Sequence, residues 1–147
     1  MTDDPPLFSL FNEIGIINQL AGAILDNALP KRMTRAQFNV LNHFVRLGHD
    51  SRSPAQLANA FQLTRPTMTS TLARMERSGL IEIRPDPADG RGKLVSLTDK
   101  GRAMREQCLV AVSAIYPLAS AALTETEVAE ILPKLAKLRK LLDSARD

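Results

Sequence analysis

The side chains best suited to chemistry in this sequence lie on one short run, Arg65-Pro66-Thr67-Met68-Thr69-Ser70-Thr71-Leu72-Ala73-Arg74. They are donors and hydroxyls rather than nucleophiles. An arginine can fork onto the acceptor edge of a guanine, and a serine or threonine hydroxyl can bond a base edge or touch a thymine methyl. Arg65, Thr67, Thr69, Ser70 and Arg74 are therefore candidate base readers, provided a helix presents them together. Ser53, Gln56, Thr64 and Lys93, with further arginines such as Arg84, are suited to phosphate, which supplies affinity and register without sequence information.

Catalysis has little to work with. The only histidines are His43 and His49, with no nucleophile motif nearby, and there is no G-x-S-x-G, glycine-rich phosphate loop or carboxylate pair. Gly90-Arg91-Gly92-Lys93 is not followed by a helix, so it fails as a phosphate cradle. Asp86-Pro87-Ala88-Asp89-Gly90 lacks the ligand spacing of a calcium loop. One cysteine and two histidines cannot build a Cys/His zinc cage, leaving only an interfacial site from His43, His49 and Asp50. We expect no catalytic residue, no metal and no cofactor.

The elements that would hold these side chains can be read from caps and periodicity. Ser53, Pro54 and Gln56 form the start of a helix with Leu57, Ala58 and Phe61 inward. Thr64 caps a second helix with Pro66 in its first turn, and Met68, Leu72 and Met75 recur at helical spacing. Arg65, Thr69, Ser70, Ala73, Arg74 and Arg77 fall on its other face. Gly79 supplies a left-handed stop. Two short strands follow, Leu80 to Arg84 and Lys93 to Leu97, across a turn-rich loop from Pro85 to Gly92. Two closely joined helices followed by a hairpin describe a helix-turn-helix with a wing.

From Leu57 to Gly101 the sequence resembles the MarR family of bacterial winged helix-turn-helix regulators. Asp86-Pro87-Ala88-Asp89-Gly90-Arg91 looks like that family's wing, whose Asp-x-Arg triplet, here Asp89 and Arg91, holds an arginine at the hairpin tip for entry into the minor groove. Gln62 departs from the pattern, since the family often has glycine in the inter-helix turn. At positive φ a non-glycine residue there costs about 1 kcal/mol. Thr34-Arg35-Ala36-Gln37-Phe38 resembles the start of the family's preceding scaffold helix.

The flanking sequence is helical. Leu7 to Ala28 carries a wide apolar stripe, and a second helix runs from the cap at Thr34, with Gln37 as its partner, to Gly48. Thr98 caps a long helix with Met104, Cys108, Val112, Ile115, Ala119 and Ala122 on one face, and Thr124 with Glu127 opens the last helix. Pro117 and Pro133 should bend these two. The expected fold is mainly α with a small β-hairpin, a winged helix-turn-helix flanked by N- and C-terminal dimerisation helices. Residues 1–147 read as one domain, with a DNA-binding lobe at 34–98 and a dimerisation lobe from 7–29 and 99–145. The terminal helices carry more apolar face than one winged module needs, which favours a two-fold homodimer on pseudo-palindromic double-stranded DNA.

Charge agrees. From Arg52 to Arg105 ten Arg or Lys stand against five Asp or Glu, net +5, while the remainder has nine against eleven, net −2. The basic excess lies on the segment proposed to meet phosphates. The acidic, proline-bearing start lacks the basic region of a secretory signal, and the uncharged stretch from Leu109 to Leu123 is too short to span a bilayer, so a cytoplasmic protein without membrane contact is expected.

The family resemblance further implies a small aromatic or phenolic effector in a cleft beside the DNA-binding lobe. Asn18, Asn39, His43, Arg46 and Tyr116 are the polar residues near it. The leading reading is thus a dimeric transcriptional regulator, a repressor released by such an effector. An effector-independent architectural DNA-binding protein and a dimeric protein-interaction module are the alternatives. Cys108 sits on an apolar stripe beyond reach of its helix N-terminus, so burial rather than oxidant sensing is expected of it.

Overall fold

The structure is a computed structural model describing residues 3–146. Chain order is α1 (Pro6–Ala28), α2 (Arg35–Leu47), α3 (Pro54–Ala60), α4 (Arg65–Arg77), β1 (Ile81–Asp86), β2 (Asp89–Leu97), α5 (Asp99–Val112), a 3₁₀ turn (Ser113–Ile115), α6 (Tyr116–Ala122) and α7 (Glu125–Ser144). The mainly helical fold with one antiparallel hairpin is the expected one. The chain divides into two compact units, the first ending at Ser113 and the second beginning at Ala114.

In the first unit the caps act as the sequence implies. Thr34, Ser53, Thr64 and Thr98 each accept a hydrogen bond from the backbone N–H three residues on, and Gln37 and Gln56 close capping boxes. Gly48 and Gly79 take up left-handed φ, ending α2 and the α4 segment. The principal core gathers Val40, Leu41 and Phe44 of α2, Leu57 and Ala58 of α3, Met68, Leu72 and Met75 of α4, and Leu80, Ile81 and Val95 around the hairpin. A smaller cluster of Leu29, Cys108 and Val112, with Leu25, Met33, Phe38, Met104 and Leu109 against it, joins the end of α1 to α5.

The remainder of α1 is exposed, including Leu7, Phe8, Phe11, Ile17 and Leu20. By length and mean hydropathy α1 is long and apolar enough to cross a bilayer despite Glu13 and Asp26. Its C-terminal end is tied down, since Asp26 accepts a bond from Arg35 at 2.8 Å and the guanidinium lies where a Cβ on Gly22 would be.

One expectation about proline needs correction. The helix capped by Thr98 is not one bent rod: it stops at Val112, and after the 3₁₀ turn Pro117 stands in the first turn of a new helix, where its missing N–H costs nothing. In the second unit α7 instead runs on through Pro133 as one element and buries none of its side chains within the chain.

Candidate nucleic-acid interface

The interface is built on α4. Its inward face, Met68, Leu72 and Met75, is almost fully buried, and this fixes the rotation that turns the other face to solvent. Arg65, Thr67, Thr69, Ser70, Ala73, Arg74 and Arg77 are all exposed. The turn before α4 is held by Leu63 N–H donating to Ala58 O at 2.9 Å, with Gln62 at φ 53°. Gln62 therefore does occupy the left-handed position, and its Nε2 donates to Asn59 O at 2.9 Å.

Hydrogen bonds separate the candidate residues into two groups. Thr67 is a brace: its hydroxyl lies 2.8 Å from that of Thr64, and its backbone carbonyl accepts from Thr71. Ser53 and Gln56 are likewise engaged with each other's backbone N–H groups at 3.1 and 2.9 Å. By contrast, among the described residues no hydrogen bond or ion pair engages the side chains of Arg65, Thr69, Ser70, Arg74, Arg91 or Lys93. Arg84 is paired with Glu82 at 2.6 Å, but both are exposed and such pairs are weak.

The wing differs from its expected outline. The strands are Ile81–Asp86 and Asp89–Leu97, longer than read, with Asp86 opposite Asp89 and only Pro87 and Ala88 between them. Pairing continues through Pro85, opposite Lys93, because an edge strand can carry a residue that donates no hydrogen bond. Asp86 then folds the turn by accepting from Ala88 N–H at 2.9 Å. Arg91 lies just past the turn, in the stretch Gly90 to Gly92 that the register shift leaves without partners on β1. Asp89 accepts from the backbone N–H of Arg91 at 3.1 Å, so it shapes the strand entry instead of gripping the guanidinium. Glu76, Ile83, Arg84, Pro85, Gly90, Arg91, Gly92 and Lys93 line an open groove of about 310 Å³.

Three joints hold this surface, and sequence reading missed them. Arg52 exchanges two backbone hydrogen bonds with Val95, at 3.0 and 2.8 Å, adding a strand-like rung to the outer edge of β2. Glu76 of α4 accepts from Ile83 N–H of β1 at 3.1 Å. At the hairpin base, Thr98 donates to Gly79 O at 2.6 Å and Lys100 to Ser78 O at 2.7 Å, so the end of α4 is capped by the start of α5. Gly101 is required there: a Cβ on it would lie 2.1 Å from Leu80 O. Only Gly101 carried a local signal, a glycine in the first turn of a helix.

The candidate effector residues belong to separate elements. Asn18 on α1 and Asn39 and Arg46 on α2 are exposed, Tyr116 is exposed in the second unit, and His43 is buried. The His43 ring packs 5.2 Å from Phe61 and 5.8 Å from His49, between centroids. Burial lowers its pKa, and the charges of Arg52, His49 and Arg46 act in the same direction. His43 Nε2 and Arg52 Nε are buried without hydrogen-bond partners. Among the described residues no three His, Cys, Asp or Glu side chains form a metal-holding group, so His43, His49 and Asp50 do not make one within the chain. Cys108 is fully buried, and desolvation raises its pKa away from thiolate character.

A capped helix presenting arginines and hydroxyls, followed by a wing with free cations, is the arrangement of a winged helix-turn-helix. A model of the MarR family matches residues 33–92. The multiple antibiotic resistance protein MarR of Salmonella typhimurium is 36% identical over 107 residues, 67% of this chain and 73% of that protein. A cysteine-to-serine variant of E. coli MarR, solved in complex with operator DNA, is similar with a TM-score of 0.72 and 32% identity, over 90% of this chain and 94% of that one. BpsR of Bordetella bronchiseptica, in a structure concerned with regulation of its DNA binding by 6-hydroxynicotinic acid, gives a TM-score of 0.72 at 26% identity over 89% of this chain and 98% of that one. The chain belongs to the MarR family of transcriptional regulators.

Proposed function

We propose that this protein is a cytoplasmic, homodimeric repressor that binds a pseudo-palindromic operator and is released by a small effector. The observation that carries the reading is the set of free, exposed side chains on one surface: Arg65, Thr69, Ser70 and Arg74 along α4, with Arg91 and Lys93 on the adjoining strand. In this reading α4 lies in the major groove and Arg91 enters the flanking minor groove, where a narrow A·T-rich tract favours a guanidinium. Lys93 and the backbone around the caps of α3 and α4 meet phosphates, with Ser53, Gln56, Thr64 and Thr67 supporting the geometry. The lobes work as 34–98 for DNA and 7–29 with 99–145 for pairing.

A second copy accounts for the exposed apolar stripes of α1 and α7, since chains in water do not leave surfaces of that size uncovered. A dyad then sets the two copies of α4 on half-sites about 10 base pairs apart. A small aromatic anion is the effector class favoured by the likeness to BpsR and by the cationic groove at the wing.

Binding should be measured on fragments selected from genomic DNA and on random DNA at fixed salt. Arg65→Ala or Ser70→Ala should relax preference at one or two operator positions by about 1–3 kcal/mol. Lys93→Ala should weaken all sequences alike and reduce the salt slope by about 1. Equal losses on specific and random DNA for all three would overturn the assignment and favour an architectural binder.

A further inference from the structure

The bond between Glu76 and Ile83 is explained by neither affinity nor packing. Glu76 is exposed in the last turn of α4, beside Arg84, Arg91 and Lys93 in the groove at the wing. A carboxylate on that surface repels phosphate and weakens DNA binding.

Its place in the hydrogen-bond pattern gives a reason for it. Val95 spends both its N–H and its C=O on Arg52, so these groups point away from β1. Val95 and its partner Ile83 are then a non-hydrogen-bonded pair of the ladder, and the N–H of Ile83 points outward as well. Glu76 receives that outward N–H at 3.1 Å. One rung of the hairpin is therefore anchored on both edges, by the Arg52 backbone on β2 and by a side chain of the recognition helix on β1. Beyond it, from Pro85 to Lys93, the hairpin has no such tie among the described residues.

We propose that Glu76 is a positioning residue that fixes the wing relative to α4 and so sets the base-pair spacing between the bases α4 reads and the point where Arg91 enters the minor groove. The inference rests on the reading in which α4 and Arg91 meet the same duplex. A longer or shorter spacing would require the rung to turn about the Arg52 joint and break the Glu76 bond.

The test uses Glu76→Gln and Glu76→Ala. Both remove the charge, but only alanine removes the acceptor. Both should raise affinity for all DNA equally at a given salt. The operators differ only in an A·T-rich flank moved by one base pair. The wild type and Glu76→Gln should lose about tenfold in affinity on the shifted flank, the order of one disfavoured base pair, and Glu76→Ala only about twofold. Amide exchange at Ile83 should accelerate in Glu76→Ala and not in Glu76→Gln. If Glu76→Ala keeps the wild-type discrimination, or Glu76→Gln loses it, the positioning role is overturned while minor-groove entry stands. If the wild type itself is indifferent to the flank, minor-groove entry by Arg91 fails and this inference falls with it.

Discussion

The module around α4 and the helix α1 solve the problem of apolar side chains in opposite ways. In the first, side chains from α2, α3, α4 and the hairpin close on one another, and Leu41, Leu57, Met75 and Val95 have no exposure at all. In the second, only the end of α1 is seated, and Leu20, two turns before Leu29, remains 62% exposed. The DNA-reading module can complete its core from its own residues. The N-terminal helix cannot, and its stability depends on what covers it.

The sharpest way to break this comparison is a pair of leucine truncations. Leu41→Ala should cost about 2–5 kcal/mol, as expected of a fully packed side chain, and lower the denaturation midpoint at every protein concentration. Leu20→Ala should lower the midpoint only through weaker self-association, so its effect should grow as the protein is diluted. Denaturant titrations at several protein concentrations read both. A concentration-independent loss for Leu20→Ala would put that residue in the chain's own core and abolish the contrast.

A smaller effect probes the joint that ties the start of α5 to the α4 module. Gly101→Ala forces a Cβ against the Leu80 carbonyl, which is backbone and cannot swing aside. The cost should be about 1–3 kcal/mol, and the wing and α4 should loosen together. Amide exchange localised to Ser78, Gly79 and Leu80 would identify the strain. A loss spread evenly over α1 would count against the joint.

The third effect depends on pH. The His43 pKa is lowered in the fold, by burial first and then by Arg52, His49 and Arg46, whereas an unfolded chain takes up the proton near pH 6.5. Stability from the neutral imidazole is thus complete above that value and is lost as pH falls below it towards the lowered folded pKa. Midpoints measured from about pH 8 to about pH 5 should fall on the acidic side, and His43→Leu should flatten the slope. An unchanged slope in the variant would assign the acid sensitivity elsewhere.

What could be read from the sequence was what short-range physics decides. The caps at Ser53, Thr64 and Thr98 bond to a backbone three residues away, and the Met68, Leu72, Met75 face follows from helical period alone. The length of the hairpin was not legible, because Pro85 and Asp86 each favour a turn in isolation, and only their partners Lys93 and Asp89 keep them paired, with Gly90 to Gly92 left as an irregularity between those two pairs. The free and engaged hydroxyls of α4 were only partly separable: Thr67 is claimed by the cap at Thr64, whereas Thr69 and Ser70 lie beyond its reach. The anchors at Arg52 and Glu76 left no local trace, since each is a bond to a backbone group that tertiary placement alone brings near.

The bond from Thr98 to the Gly79 carbonyl has one more consequence, for how such a protein can change over generations. The chain leaves α4 and returns to begin α5 at almost the same point, so everything between Gly79 and Thr98 is an excursion from a closed gate. Its outer part, from Pro85 to Lys93, lies beyond the rung held by Arg52 and Glu76, so a change of length there leaves the posts where they are. New binding preferences can therefore be tried at the wing while the frame that folds the protein is inherited intact.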